Sequence, residues 1–341
     1  MPVQSPTGTP DGSLMDHATS SNREEQTRRV AESLKRQLGP FCPLLAASDL
    51  VELMLNADGT VWAERLGRGM HPVGTMQTAS AESFIGTVAS TLRGTVTREN
   101  PILECELPAY PPFEGARFEA LVPPVVSAPV FTIRRKASAV FTLAEYEHQG
   151  IMSAPQRRAI EAAVAQRQNI LIVGGTGSGK TTLANAVIAQ IVRATPQHRL
   201  VVIEDTSELQ CSADNAVTLR ATDTVDMQRL LKATMRLRPD RIIVGEVRGG
   251  EALSLLKAWN TGHPGGVCTV HANHARAGLR RLEQLIAEVS RAPMRALIAE
   301  AVNLIVSIVR TDAAPGRRID EVVAVTGVID GEYQFVNMED P

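Results

Sequence analysis

The run Gly174, Gly175, Thr176, Gly177, Ser178, Gly179, Lys180 and Thr181 constrains this chain more than any other feature of it. It matches G-x-x-x-x-G-K-[ST], it follows the apolar run 170–173, and Leu183, Val187 and Ile191 beyond it repeat at helical spacing. Strand, glycine loop and helix in that order make a cradle for an anion. Glycines let backbone N–H groups curl round a phosphate, and the helix N-terminus adds its partial positive charge. Lys180 is then placed to neutralise β- and γ-phosphates, Thr181 to hold Mg2+ through its hydroxyl, and Thr182 to continue the contact. A glycine-rich turn with no ligand is the alternative, and the flanking strand and helix argue against it.

Three further segments end apolar strands in polar residues. After 200–203 come Glu204 and Asp205; after 242–244 comes Glu246; after 267–270 comes His271. In an open α/β sheet the carboxyl ends of the strands face the ligand. Strand-end acids beside a phosphate loop suit a metal-nucleotide hydrolase, in which one orients the metal and its water and another takes a proton from the attacking water. Glu246 is assigned the water-activating role, and Glu204 and Asp205 are placed nearer the metal; the alternative is that these acids cap the following helices. His271 is positioned to hydrogen-bond a γ-phosphate and report its loss, against the alternative of a structural histidine. His263, in Gly262-His263-Pro264-Gly265-Gly266, is a weaker candidate, the alternative being a glycine-rich turn that is structural.

The short β-branched runs 170–173, 200–203, 217–219, 242–244 and 267–270, separated by helical segments, predict a buried, mainly parallel sheet with helices on both faces. With 341 residues there is room for a second domain. Runs 51–54, 61–64 and 117–121, a turn at Asn56-Ala57-Asp58-Gly59 and a helix over 79–92 predict a smaller α+β domain before it. The expected organisation is a disordered Ser/Thr/Pro/Gly-rich tail at 1–22, an N-terminal domain at 23–136, a linker at 137–152, and the phosphate-loop domain at 153–341, which opens on the capping box Ser153 to Gln156. A net charge of −2 supplies no global field for nucleic acid, and with 4% aromatic residues no stacking surface is visible, which argues against direct nucleic-acid binding. Cys42, Cys105, Cys211 and Cys268 are too dispersed for a disulfide framework or a cysteine-based zinc site. The longest uncharged run, 121–133, is short and broken by prolines, so no membrane span is expected and the chain is placed inside the cell.

Taken in order, IVGGTGSGKTT, VVIEDTSEL, RIIVGEVRGGEAL and TGHPGGVCTVHANHA resemble the four boxes of the secretion ATPases that serve type IV secretion, conjugal transfer, type II secretion and type IV pili. That resemblance covers roughly residues 44–309 and implies a RecA-like P-loop ATPase domain, ATP and Mg2+ as ligands, a homohexameric ring and nucleotide held between the two domains. It also implies that Arg117 and Arg134 reach ATP phosphates from the first domain. One of Arg236, Arg238, Arg241 and Arg248 is a candidate arginine finger toward a neighbouring subunit. Residues 56–62, Arg117-Phe118-Glu119 and Ile133-Arg134-Arg135 look most like the conjugal-transfer branch. The long N-terminal extension and four-cysteine module common in type II secretion and pilus-extension members are not present, which favours type IV secretion. The resemblance implies partners in a conjugation channel and a cytoplasmic protein peripherally associated with the inner membrane. The alternatives carried forward are a pilus-retraction ATPase and a nucleotide-gated docking module with negligible turnover.

Overall fold

The computed structural model describes residues 12–65, 68–92, 94–136, 140–222 and 224–339. The chain forms two compact units that part after Ser138. In the first, helix α1 (Gly12–Leu38) and a 3-10 segment (Gly39–Ala46) precede strands β1 (Leu50–Leu55), β2 (Thr60–Arg65) and β3 (Gly69–Thr75). Helix α2 (Thr78–Thr91) and strands β4 (Ile102–Glu106), β5 (Arg117–Leu121) and β6 (Val130–Arg134) follow. The strands form one sheet in the order β3-β2-β1-β6-β5-β4. Alternate residues face inward, as a half-covered sheet requires: Leu53, Leu55, Val61, Ala63, Phe118, Ala120, Phe131 and Ile133 meet Phe84, Ile85 and Val88 of α2 and Leu34 and Leu38 of α1. The expected turn is present, with the Asn56 N–H donating to Thr60 O and the Gly59 N–H to Asn56 O, both at 3.0 Å. Gly59 has φ +82°, and a Cβ there would lie 2.9 Å from Met76 O, so both conformation and space require glycine.

Two expectations about this part of the chain change. Helix α1 begins at Gly12 and so takes in half of the segment expected to be disordered; residues 1–11 lie outside the described residues. Strands β4 and β6 were not anticipated, nor was β3, in which Gly69, Pro72 and Gly74 read as turn residues. Strand β3 is an edge strand, where a proline costs no ladder hydrogen bond.

The second unit contains α3 (Leu143–His148), α4 (Ala154–Ala165), β7 (Ile170–Gly174), α5 (Lys180–Ala194), β8 (Leu200–Glu204), β9 (Ala216–Arg220) and α6 (Met227–Thr234). It continues with β10 (Arg241–Glu246), α7 (Glu251–Asn260), β11 (Val267–His271), α8 (Ala275–Ala287), α9 (Arg295–Ala301), β12 (Leu304–Arg310), β13 (Arg317–Ile329) and β14 (Glu332–Asn337). The sheet order is β14-β13-β12-β7-β11-β10-β8-β9. From β12 through β9 every neighbouring pair is parallel, and β13 and β14 add an antiparallel flank. The continuous apolar runs have their explanation in two cores. Leu171 and Val173 of β7 pack on one face with residues of α7, α8 and α9, whereas Ile170 and Ile172 pack on the other with α4 and α5.

The segment 137–152 is not a linker throughout. Residues 137–139 lie outside the described residues, but Thr142 and Glu145 form a reciprocal capping box that starts α3. Leu143, Tyr146, Ile151 and Met152 are buried in the second core. Their burial ties this stretch to the phosphate-loop unit, and the T-x-x-E pattern that starts it was readable in the sequence.

At the opposite edge of β7 from the glycine loop, Asn169 is 3% exposed and joins three segments. Its Oδ1 accepts from Gly265 N–H at 2.7 Å and Gly266 N–H at 3.0 Å, and its Nδ2 donates to Ala301 O at 2.7 Å. Removing that side chain leaves three buried backbone groups without partners. Asn169→Ala is therefore expected to lower stability by about 3 kcal/mol, seen as an earlier denaturant midpoint with unchanged slope. A midpoint matching the parent chain would show that water replaces the amide.

Candidate phosphate-binding site

Strand β7 ends at Gly174, and the chain turns through Gly177 (φ +68°) and Gly179 (φ +101°) into α5. Gly179 is the residue before the first helical turn, in a left-handed conformation that only glycine adopts without cost. A Cβ on Gly174 would lie 2.4 Å from Ser178 Oγ and 2.6 Å from Ile308 O, so the loop closes tightly on itself. Ser178 is buried, and its Oγ has no hydrogen-bond partner among the described residues. Lys180 Nζ donates to Gly174 O at 3.0 Å and to Gly175 O at 3.1 Å, which folds the ammonium across the loop.

The loop after β8 is held from two sides. Glu204, 2% exposed, accepts on Oε2 from the N–H groups of Glu208 and Leu209, both at 2.9 Å. Asn185 of α5, fully buried, donates from Nδ2 to Glu208 O at 3.2 Å and accepts on Oδ1 from Gln210 N–H at 2.8 Å. The result is that Glu208 faces Thr181, whose Oγ1 donates to Glu208 Oε2 at 3.1 Å. Glu204 was expected beside a metal; its observed bonds instead anchor the segment that carries Glu208. Glu208 was not singled out in the sequence, because it lies four residues past the strand end and reaches Thr181 only through this doubled-back loop.

Glu246, at the end of β10, and Asp205 open onto the same cleft as Thr181 and Glu208. Arg248 bridges them. Its Nε and Nη2 donate to Glu246 Oε2 at 3.0 and 2.8 Å, and its Nη1 donates to Asp205 Oδ2 at 2.7 Å. Three carboxylates around one hydroxyl would repel one another without a cation, and here the guanidinium supplies the positive charge. The backbone N–H groups of Arg248 and Gly249 donate to Glu251 Oε1 at 2.6 and 2.9 Å, which fixes the start of α7 behind this cluster. His271 is exposed at the end of β11, and in the β11–β7 register it stands opposite Gly174.

Other sequence candidates lie elsewhere. Arg241 is fully buried at the start of β10, donating to Gly265 O and Val164 O, both at 3.0 Å, and to His198 Nδ1 at 3.2 Å. Burial lowers its pKa to about 10, still charged near neutrality, and it cannot serve as a finger toward another subunit. His263 Nδ1 lies 3.0 Å from Pro239 O, at the amino end of β11 and thus the far end of the sheet from the glycine loop. Arg117 and Arg134 are directly opposite on β5 and β6 of the first unit, with Glu52 of β1 opposite Arg134. Burial holds the Glu52 carboxyl above its ordinary range despite the arginines beside it.

The donor set fits a magnesium nucleotide: a glycine loop with no room for a Cβ at Gly174, a lysine across it, a hydroxyl facing carboxylates, and a buried hydroxyl without a partner. Among the described residues no three His, Cys, Asp or Glu side chains form a metal cluster.

A glycine-loop α/β domain with strand-end acids, preceded by a smaller α+β unit, is the class of protein that fold and site define. The chain belongs to the Type II/IV secretion system protein family, whose model matches residues 79–329. It is 56% identical over 308 residues to the probable conjugal transfer protein TrbB of Sinorhizobium fredii, covering 90% of this chain and 92% of that one. Conjugal transfer protein TrbB of Rhizobium radiobacter is 55% identical over 307 residues, again 90% of this chain and 92% of the relative. Among solved structures, the Legionella pneumophila ATPase DotB superposes with a TM-score of 0.59 at 21% identity, over 82% of this chain and 78% of that one, a likeness of fold.

Proposed function

We propose that this chain is the ATP-hydrolysing motor of a conjugal transfer system, working as a homohexamer with other channel components and peripherally associated with the inner membrane. The observation that carries the reading is the convergence of Lys180, Thr181, Glu208, Asp205 and Glu246 at the carboxyl ends of β7, β8 and β10. The conjugal-transfer names of relatives that match 90% of the chain support the choice of system over a pilus-retraction motor. No helix among the described residues is long and apolar enough to cross a membrane, so membrane association would run through partners.

In this reading the loop residues Gly174, Gly175, Thr176, Gly177, Ser178 and Gly179 present backbone N–H groups to phosphates, with Lys180, Thr181 and Thr182 completing the contact. Bound Mg-ATP supplies the electrophilic γ-phosphoryl group. Thr181 Oγ1 would hold the metal, with Glu208 and Asp205 ordering its surroundings and Glu204 keeping Glu208 in place. Glu246 orients a water molecule and takes its proton at a carboxylate oxygen. Arg248 bonds Glu246 through Oε2, which leaves Oε1 as the atom that takes the proton. His271, beside Gly174 at the sheet end, is the residue placed to feel the γ-phosphate.

Purified full-length chain should release phosphate from ATP in the presence of Mg2+ and stop when the metal is chelated. Nucleotide binding without phosphate release, even at high protein concentration, would replace the motor by a nucleotide-gated docking module.

A further inference from the structure

We propose that Arg310 and Arg317 form a pair of guanidiniums that grips the phosphate groups of the ligand in loop 174–181 from within the same chain. The proposal rests on the nucleotide-binding reading above and adds two residues that none of the four sequence boxes contains.

Strand β12 runs parallel to β7 with Ser307 opposite Val173, so Arg310, three residues on, stands level with the glycine loop. Strand β13 returns antiparallel and places Arg317 directly opposite Arg310. The intervening turn is closed by the Thr311 N–H donating to Gly316 O at 3.0 Å. Directly opposed residues share one face of a sheet, so the two guanidiniums point the same way. Arg318, on the alternate face, pairs with Asp320 at 2.6 Å instead.

Both arginines reach the loop. A Cβ on Gly177 would lie 3.2 Å from Arg310 Nη1, and one on Gly179 would lie 2.7 Å from Arg317 Nη1 and 3.6 Å from its Cδ and Cζ. These two glycines have positive φ and flank Ser178, the residue whose buried Oγ has no partner among the described residues. Arg317 is half-buried, and among the described residues its guanidinium forms no hydrogen bond or ion pair. With Lys180, three cations surround one glycine loop at a helix N-terminus. A guanidinium offers a planar fork of donors that matches phosphate oxygens, which a lysine does not. The ligand chemistry that suits three cations around one loop is a di- or triphosphate, read by its charge and oxygens and not by its base.

Calorimetric titration of the full chain with ADP and with inorganic tripolyphosphate tests this, comparing the parent with Arg310→Gln, Arg317→Gln, the double variant, and Arg310→Lys/Arg317→Lys. The double Gln variant should bind both ligands at least about tenfold more weakly, the Lys pair should recover part of the loss, and the ligand-free melting temperature should hold. Unchanged affinities overturn the proposal. So does a loss confined to ADP, which would mean that the arginines touch base or ribose, and so does a lowered ligand-free melting temperature with affinities retained, which would make them structural. If the parent chain binds neither ligand, the nucleotide reading itself fails and takes this one with it.

Discussion

Lys180→Ala is expected to abolish turnover, by about a thousandfold or more, and to weaken nucleotide binding by about a hundredfold. The ammonium lies across Gly174 O and Gly175 O, where it adds a full positive charge to the loop of backbone N–H groups. Its loss removes attraction for the ground-state phosphates and for the charge that develops on them, so affinity and rate fall together. Titration with a fluorescent nucleotide and a phosphate-release assay read the two separately. A variant that binds as tightly as the parent would show that the loop N–H groups and the arginines carry the phosphate unaided.

Glu246→Gln should divide the two quantities. Turnover should drop by about a hundredfold to ten-thousandfold, as for loss of a general base. Binding should hold or tighten, because the substitution removes a negative charge from a cleft that already contains Asp205 and Glu208. The amide can still accept a hydrogen bond from Arg248, which preserves the local geometry. Normal hydrolysis by Glu246→Gln would pass the base assignment to Glu208. It would not pass it to Glu204, which is buried and bonded to two backbone N–H groups.

The comparison of these acids shows what was legible in the sequence. A short β-branched run followed by a carboxylate is visible in one dimension, and β7, β8, β10 and β11 lie where such runs predicted them. The same pattern covers two physical outcomes. Both line the cleft, but Glu204 is buried and bonded to the loop it anchors, whereas Glu246 is only half-buried. Glu208 depends on Asn185, 23 residues earlier, for its position, a contact that no local periodicity encodes. Arg310 and Arg317 are hidden for a similar reason: their meeting with Gly177 and Gly179 follows from the register of β12 on β7. Arg241 makes the converse case, an arginine beside a functional segment whose side chain is committed to three acceptors, two of them buried. In the first unit the runs 51–54, 61–64 and 117–121 lie in β1, β2 and β5, whereas β4, β6 and the edge strand β3, with its glycines and a proline, were not read.

Light scattering coupled to size exclusion, with and without a non-hydrolysable Mg-ATP analogue, and phosphate release from ATP assayed on the same fractions, tests the motor reading most directly. The account predicts that hydrolysis elutes with a species of six chains. A single chain that binds nucleotide and releases no phosphate at any concentration would contradict it.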